Sequence, residues 1–186
     1  MRPPDFYSIE APKFQLPQKM HTPISLGEGF EDVEMVQDHF LSPKTLKKAT
    51  LKIATYFRRE FGYDCIQYDI NYQYLRQFAY LYFKTYPADN GRKIYYAIGA
   101  SYFHWQEWEN YPHCYQLEWV WFHPYWRRKG LLNASWIFFM QKHGNFFVAN
   151  PRSKGMELFL KKIGYSDEAS IRLKEKEKFS VCKSAS

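Results

Sequence analysis

Leu117–Leu132, LEWVWFHPYWRRKGLL, is the stretch on which the reading of the chain turns. It opens as an apolar run dense in β-branched and aromatic residues, the pattern of a strand, predicted over Tyr115–Phe122. Pro124 stops that strand. Arg127, Arg128 and Lys129 follow in a turn, and Gly130 opens a helix predicted over 130–141, with Leu131, Ala134, Phe138 and Gln141 on successive turns. A basic turn of this kind aims unpaired backbone N–H groups and the positive end of a helix at one point, which favours an anion, above all a phosphate.

Outward from that turn, Phe146–Ala149 reads as a short strand, and Ser153 is placed to cap a helix over 154–162 that Gly164 ends. Upstream, Lys93–His104 (KIYYAIGASYFH) reads as a strand antiparallel to Tyr115–Phe122, joined by a polar-aromatic loop over 105–113. Asp89, Asn90 and Gly91 form a turn. Residues 71–86 are expected to be a helix ending before Pro87. Ser42 and Pro43 supply an N-cap and first-turn proline for a helix over 43–61, with Leu46, Ala49, Ile53 and Phe57 as its apolar stripe and Gly62 as its stop. Phe30, Val33, Val36 and Phe40 recur at helical spacing within the acidic stretch 28–40 and predict a short amphipathic helix. Residues 1–27 are proline-rich and read as an extended arm.

These elements fit one domain over 1–186: an arm and helices over 1–90, a core over 91–165, and closing strands with a basic tail over 166–186. No apolar run reaches the length of a membrane-spanning helix, and the N-terminal residues do not resemble a signal peptide. Cys65, Cys114 and Cys182 are too few and too scattered for a disulfide framework or a zinc site, and a reduced, cytoplasmic setting is expected. His104, His113 and His123 show no metal-ligand spacing, so no metal is expected. The net charge of +7 is concentrated late: residues 124–186 carry 13 Lys/Arg against 5 Asp/Glu.

Strand, basic turn, helix, short strand, helix and Gly-Tyr, in that order, resemble the GNAT superfamily of acyl-CoA-dependent N-acetyltransferases. The family's R/Q-x-x-G-x-G/A turn is similar to Arg127–Leu132, and its N-x-x-A-x-x-x-Y-x-x-x-G-F helix is similar to Ser153–Tyr165. The resemblance covers 93–165. It implies an α+β fold, a mixed, mostly antiparallel sheet flanked by helices in three layers, with the N-terminal part as a helical elaboration. It implies acetyl-CoA, or another acyl-CoA, as co-substrate and an amine-bearing small molecule or protein as acceptor. Phe122, through its backbone, and His123, Arg127, Arg128, Lys129, Gly130, Leu131, Leu132 and Ser153 would hold the cofactor, and Glu118 would act as general base.

Three departures stand out. Leu132 replaces a small residue, Ser153 an asparagine, and Leu160 the tyrosine that reprotonates the departing thiolate in the family. Tyr111, Tyr115 and Tyr165 are candidate replacement acids, Cys114 a candidate nucleophile, and Trp105 with Trp108 a candidate acceptor wall. The acidic run Glu28, Glu31, Asp32 and Glu34 could draw in a cationic acceptor. Two other functions stay open: an acyl-CoA-binding module without catalysis, and a basic, aromatic-rich surface that binds nucleic acid. An oligomer is compatible with all three.

Overall fold

One long strand carries the architecture. In a computed structural model that describes residues 9–16, 22–71, 76–87, 92–107 and 113–167, β5 (Lys93–Gln106) lies between β4 (Gln77–Pro87) and β6 (Cys114–Phe122), antiparallel to both. Beyond β4 lie β3 (Glu34–Asp38) and β2 (Ile24–Ser25), each antiparallel to its neighbour. Beyond β6 lies β7 (Phe147–Val148), the parallel partner that makes the sheet mixed. β1 (Lys13–Phe14) pairs with β5 at Tyr95 and Tyr96, past the point where β6 has ended opposite Gly99.

Helices cover both faces of the sheet, as the α+β, three-layer expectation requires. On one face α1 (Lys44–Phe61) packs Leu46, Ala49, Ile53 and Ala54 against Leu81, Phe83, Trp119 and Trp121. Each large buried side chain there contributes roughly 1.5–3 kcal/mol. On the other face α2 (Leu131–His143) and α3 (Lys154–Lys162) set Leu131, Trp136, Phe139 and Leu160 against Tyr80, Tyr82, Phe103 and Leu117. Burial lowers the pKa of His143 to about 4, so its ring is neutral at pH 7 and shares a 2.9 Å hydrogen bond with the Tyr80 hydroxyl. That contact fixes the far end of α2 on β4.

Two predicted helices are strands. Residues 77–86 of the expected 71–86 helix lie in β4, and 34–38 of the expected 28–40 helix form β3. Both strands are buried on both faces. Phe78, Tyr80 and Tyr82 join one core while Ala79, Leu81 and Phe83 join the other, and Met35 and Val36 divide in the same way. A strand with two apolar faces shows no two-residue period, so a short apolar run of this kind reads equally as helix. Among the described residues the N-terminal half is therefore strands with one helix, not a helical elaboration. Ser42 also differs from expectation: α1 has no side-chain cap, and the Ser42 hydroxyl accepts the His39 N–H instead. The 89–91 turn, Trp108, Tyr111 and everything from 168 onward lie outside the described residues.

The sheet is bent by two bulges, one at Tyr82/Phe83 opposite β5 and one at Tyr102/Phe103 opposite β6. At the second, Tyr102 faces Trp119 and Phe103 faces Leu117, so Glu118 is the extra residue. Simple alternation would group Glu118 with Val120 and Phe122. The bulge instead puts Leu117 with Val120 and Phe122 on the α2 side, and leaves Glu118 on the α1 side beside Trp119.

Gly99 of β5 leaves no room for a side chain against β6. A Cβ there would lie 2.6 Å from Phe122 Cδ1 and 2.7 Å from the Trp121 carbonyl oxygen. Backbone cannot yield as a side-chain tip can, so Gly99→Ala is expected to destabilise the protein by about 1–3 kcal/mol and to shift β6. Urea unfolding measures the first effect and the near-ultraviolet signal of Trp121 the second.

Candidate functional site

Beyond Leu117 the outer edge of β6 runs on without a strand partner among the described residues, because β7 pairs only at Gln116 and Leu117. The His123 N–H donates to the Ile98 carbonyl at 2.8 Å on the β5 side. Backbone direction alternates along a strand, so the Val120 and Phe122 peptide groups fall on the opposite, open edge. Between β6, the start of α2 and α3 lies a cleft of about 730 Å³, lined by Val120, Phe122, Arg128, Gly130, Leu132 and Ser153 among others.

The head of the cleft is the start of α2. Gly130 is its N-cap at φ 85°, with no side chain to satisfy the helix. The first-turn N–H groups of Leu131, Leu132 and Asn133 have no intrahelical acceptor by the geometry of a helix, and together they amount to a partial positive charge of about +0.5. Arg128 precedes them in the left-handed region at φ 60°, rare for a side chain with a Cβ. Such a conformation costs on the order of 1–3 kcal/mol and gathers at functional sites. Arg128 is exposed, lines the cleft, and has no acidic partner among the described residues.

Its neighbours are committed elsewhere. The Arg127 guanidinium meets both carboxylate oxygens of Glu60 at 2.6 Å, and its Nε donates to the Phe122 carbonyl at 2.8 Å. Glu60 also accepts from the Trp121 indole at 2.7 Å. Arg127 thus ties the turn to the end of α1, and the Phe122 carbonyl is occupied. Lys129 folds back over the rings of Tyr125 and Trp126, at 4.2 and 4.5 Å from their centroids. The His123 ring accepts from the Tyr125 N–H and contacts the Ile9 carbonyl at 3.0 Å, so it shapes the turn and pins the arm. Neither His123 nor Lys129 lines the cleft.

The opposite wall is α3. Ser153 caps it by accepting the Met156 N–H at 3.3 Å, as its position in the sequence predicts. Lys154 and Lys162 add positive charge, and Met156 and Phe159 add an apolar surface. Leu160 is only 3% exposed and belongs to the core beneath. The Tyr165 hydroxyl accepts from the Val148 N–H and donates to Asp167 at 2.7 Å, and burial leads the causes that raise its pKa far above the ordinary phenol value. It is an anchor between β7 and the end of α3.

Glu118 lines a small recess of about 40 Å³ that shares Phe61, Val120, Ser153 and Met156 with the cleft. Its side chain is 12% exposed. Burial raises the carboxyl above the ordinary carboxylate range, against the lowering pull of the Gln106 amide, which donates at 3.2 Å, of the His104 ring and of Gln116. Trp105 packs edge-on against Tyr115, away from this recess. Asp32 pairs with Lys84. Among the described residues no cluster of His, Cys, Asp or Glu could hold a metal ion, and no helix is long and apolar enough to cross a membrane.

Fold and cleft together define a class: a layered α+β protein whose bent sheet opens beside an uncapped helix start, with a buried carboxylate nearby. No family model and no curated protein sequence matches the chain. Among solved structures it is similar to a ribosomal-protein-alanine N-acetyltransferase from Brucella melitensis biovar Abortus 2308, with 15% identity and a TM-score of 0.40 over 72% of this chain and 92% of that one.

Sequence reasoning missed Glu60, Phe61, Arg152, Lys154, Met156 and Phe159. Only Lys154 and Met156 carried a signal, as first-turn residues of a helix that Ser153 caps. The others reach the site from far along the chain or through a side-chain orientation that spacing does not encode.

Proposed function

We propose that this chain is an acyl-CoA-dependent N-acyltransferase of the GNAT type, taking acetyl from acetyl-CoA to an amine. One observation carries the reading: the open edge of β6 and the uncapped start of α2 line one continuous cleft, so that strand amides and a helix N-terminus face the same space. A diphosphate suits the N–H groups of Gly130, Leu131 and Leu132 with the Arg128 side chain. An extended chain of amides suits the free Val120 and Phe122 peptide N–H groups, as a peptide adds to a sheet edge. Ser153, Met156 and Phe159 close the far side. Arg127 contributes by holding the turn against α1.

Acetyl-CoA supplies a thioester carbonyl carbon that a neutral amine can attack. The amine nitrogen forms the new C–N bond as the C–S bond breaks, Glu118 takes the proton that nitrogen loses, and the sulfur leaves to become the CoA thiol. With a thiol pKa near 8.5 the departing sulfur is a weak base that water can protonate at the cleft mouth. This answers the burial of Leu160, which puts no proton donor in the cleft. Most of the acceleration would come from holding amine and thioester together.

The buried Leu160 also favours a second reading, a module that binds acyl-CoA without transferring the acyl group. Calorimetric titration of acetyl-CoA into the full chain, with thiol release measured across a panel of amines, separates the two. Binding with thiol release is the expected result. Binding alone would leave the module, and an absence of binding would remove both.

A further inference from the structure

We infer that the outward face of α1 is a docking surface for the phosphate backbone of a nucleic acid, held by Lys44, Lys48, Lys52, Arg58 and Arg59. None of the five lines the cleft or the recess, and the surface does not depend on the acyltransferase reading above.

Residues 1–123 hold 13 Lys/Arg against 14 Asp/Glu, so along the sequence their charges cancel. The fold separates them. Glu28, Glu31, Asp32 and Glu34 sit on the β2–β3 hairpin, while residues 44–59 of α1 carry six Lys/Arg and no Asp or Glu. At 3.6 residues per turn, Lys44, Lys48, Lys52, Arg58 and Arg59 fall within an arc of about 120°. That arc lies opposite Leu46, Ala49 and Ile53, which face the sheet. The sixth cation, Lys47, turns inward and donates to the Phe40 carbonyl at 2.9 Å. Glu60, which ends the run, is held by Arg127. Lys44, Lys48, Lys52 and Arg59 are exposed and Arg58 is half-buried. None of the five meets a carboxylate within ion-pair distance among the described residues.

The placement of these charges opposes the helix itself. A helix start carries partial positive charge and is stabilised by acids. α1 has no acidic residue in its first turn and no side-chain cap, and it sets Lys44 and Lys48 there instead. Like charges four residues apart also repel, as Lys44, Lys48 and Lys52 do. An anion docked on the face relieves both repulsions. From Lys44 to Arg59 the row is about 22 Å long at 1.5 Å per residue, which suits a polyanion of one sign rather than a single phosphate. A nucleic-acid duplex supplies one negative charge per about 1.7 Å of axis. An anionic membrane fits less well, because an interfacial helix needs apolar side chains to enter the lipid boundary. Leu51 and Tyr56, beside the cations, are partly buried against the core.

The test follows the anisotropy of a fluorescein-labelled DNA duplex of mixed sequence, titrated with the full chain at several salt concentrations. The duplex is expected to bind with a logarithmic salt slope of about −3 to −4.5, from three to five phosphate contacts. Lys48→Gln combined with Lys52→Gln should weaken binding at least about tenfold and flatten the slope by about 2. Glutamine keeps helix propensity, so the melting temperature should hold or rise. Lys93→Gln combined with Lys142→Gln removes the same charge from exposed positions elsewhere and should change neither affinity nor slope. A duplex that does not bind, equal losses in the two pairs, or a slope that the α1 pair leaves unaltered overturns the proposal. Phosphatidylserine vesicles are titrated in parallel, and vesicle binding without duplex binding overturns it too. Acetyl-CoA affinity should match the wild type in both pairs. If acetyl-CoA fails to bind while the duplex still binds through α1, the acyltransferase reading falls and this surface stands.

Discussion

Arg128→Gly is expected to weaken acetyl-CoA binding by about ten- to a hundredfold while holding or raising the melting temperature. The two halves of that result come from one residue. The Arg128 side chain faces the cleft head, where each charge-assisted hydrogen bond to a phosphate oxygen is worth about 1.5–3 kcal/mol. Its backbone sits at φ 60°, where glycine rests without strain, so the substitution relieves roughly 1 kcal/mol or more. Lost affinity in a protein that melts no lower cannot be assigned to misfolding. Arg128→Glu should lose more, since a carboxylate at the helix start repels the ligand. Lys129→Ala should lose little, because its ammonium already lies over Tyr125 and Trp126. Calorimetry at two salt concentrations checks the set, and the Arg128 variants should show a shallower dependence on salt. Undiminished affinity in Arg128→Gly would mean that the turn does not hold the diphosphate.

Glu118→Gln is expected to lower the acyl-transfer rate by about 10²- to 10⁴-fold near neutral pH, the usual contribution of a positioned base. Glutamine keeps the size of the side chain but cannot take a proton. The pH dependence carries the sign. Burial raises the Glu118 carboxyl above its ordinary value, so the wild-type rate should climb with pH as that carboxyl ionises, and the variant should lose this limb. At high pH hydroxide can take the proton that the nitrogen loses, so the two rates should converge. Stability moves in the opposite sense. A carboxyl whose folded pKa lies above its unfolded value stabilises the fold most below the unfolded pKa, and that share is lost as pH rises through the folded pKa. Glu118→Gln should therefore melt higher than wild type at neutral pH. A rate ratio that stays flat across the pH range would remove Glu118 as the base.

How far the sequence could be read depended on whether each element showed one face or two. α1, α2 and α3 each carry a cap or a stop, and Gly62, Gly130, Ser153 and Gly164 fall at or next to the ends that propensity assigns to them. β5 and β6 announce themselves through Tyr, Ile, Trp and Val between turn residues. β3 and β4 do not, because Met35–Val36 and Phe78–Phe83 are apolar toward both cores and the two-residue period vanishes. The candidate site divides along similar lines. The turn proposed to bind an anion is local, and its residues could be named from Arg127–Leu132. The roles within it were not legible: Arg127 turns away because Glu60 waits across the fold, and Lys129 because two rings lie beneath it. Glu118 could be named as the base candidate, yet the face it presents depends on a bulge that alternation alone cannot locate.

The Arg127–Glu60 pair joins the last turn of α1 to the loop that opens α2, so the two share one opening equilibrium. Any fluctuation that frays the carboxyl end of α1 releases the loop with it, and any anion that settles the loop also quiets α1. An anion held at the helix start would by this route steady Phe61, the ring beside Glu60 at the other end of the cleft.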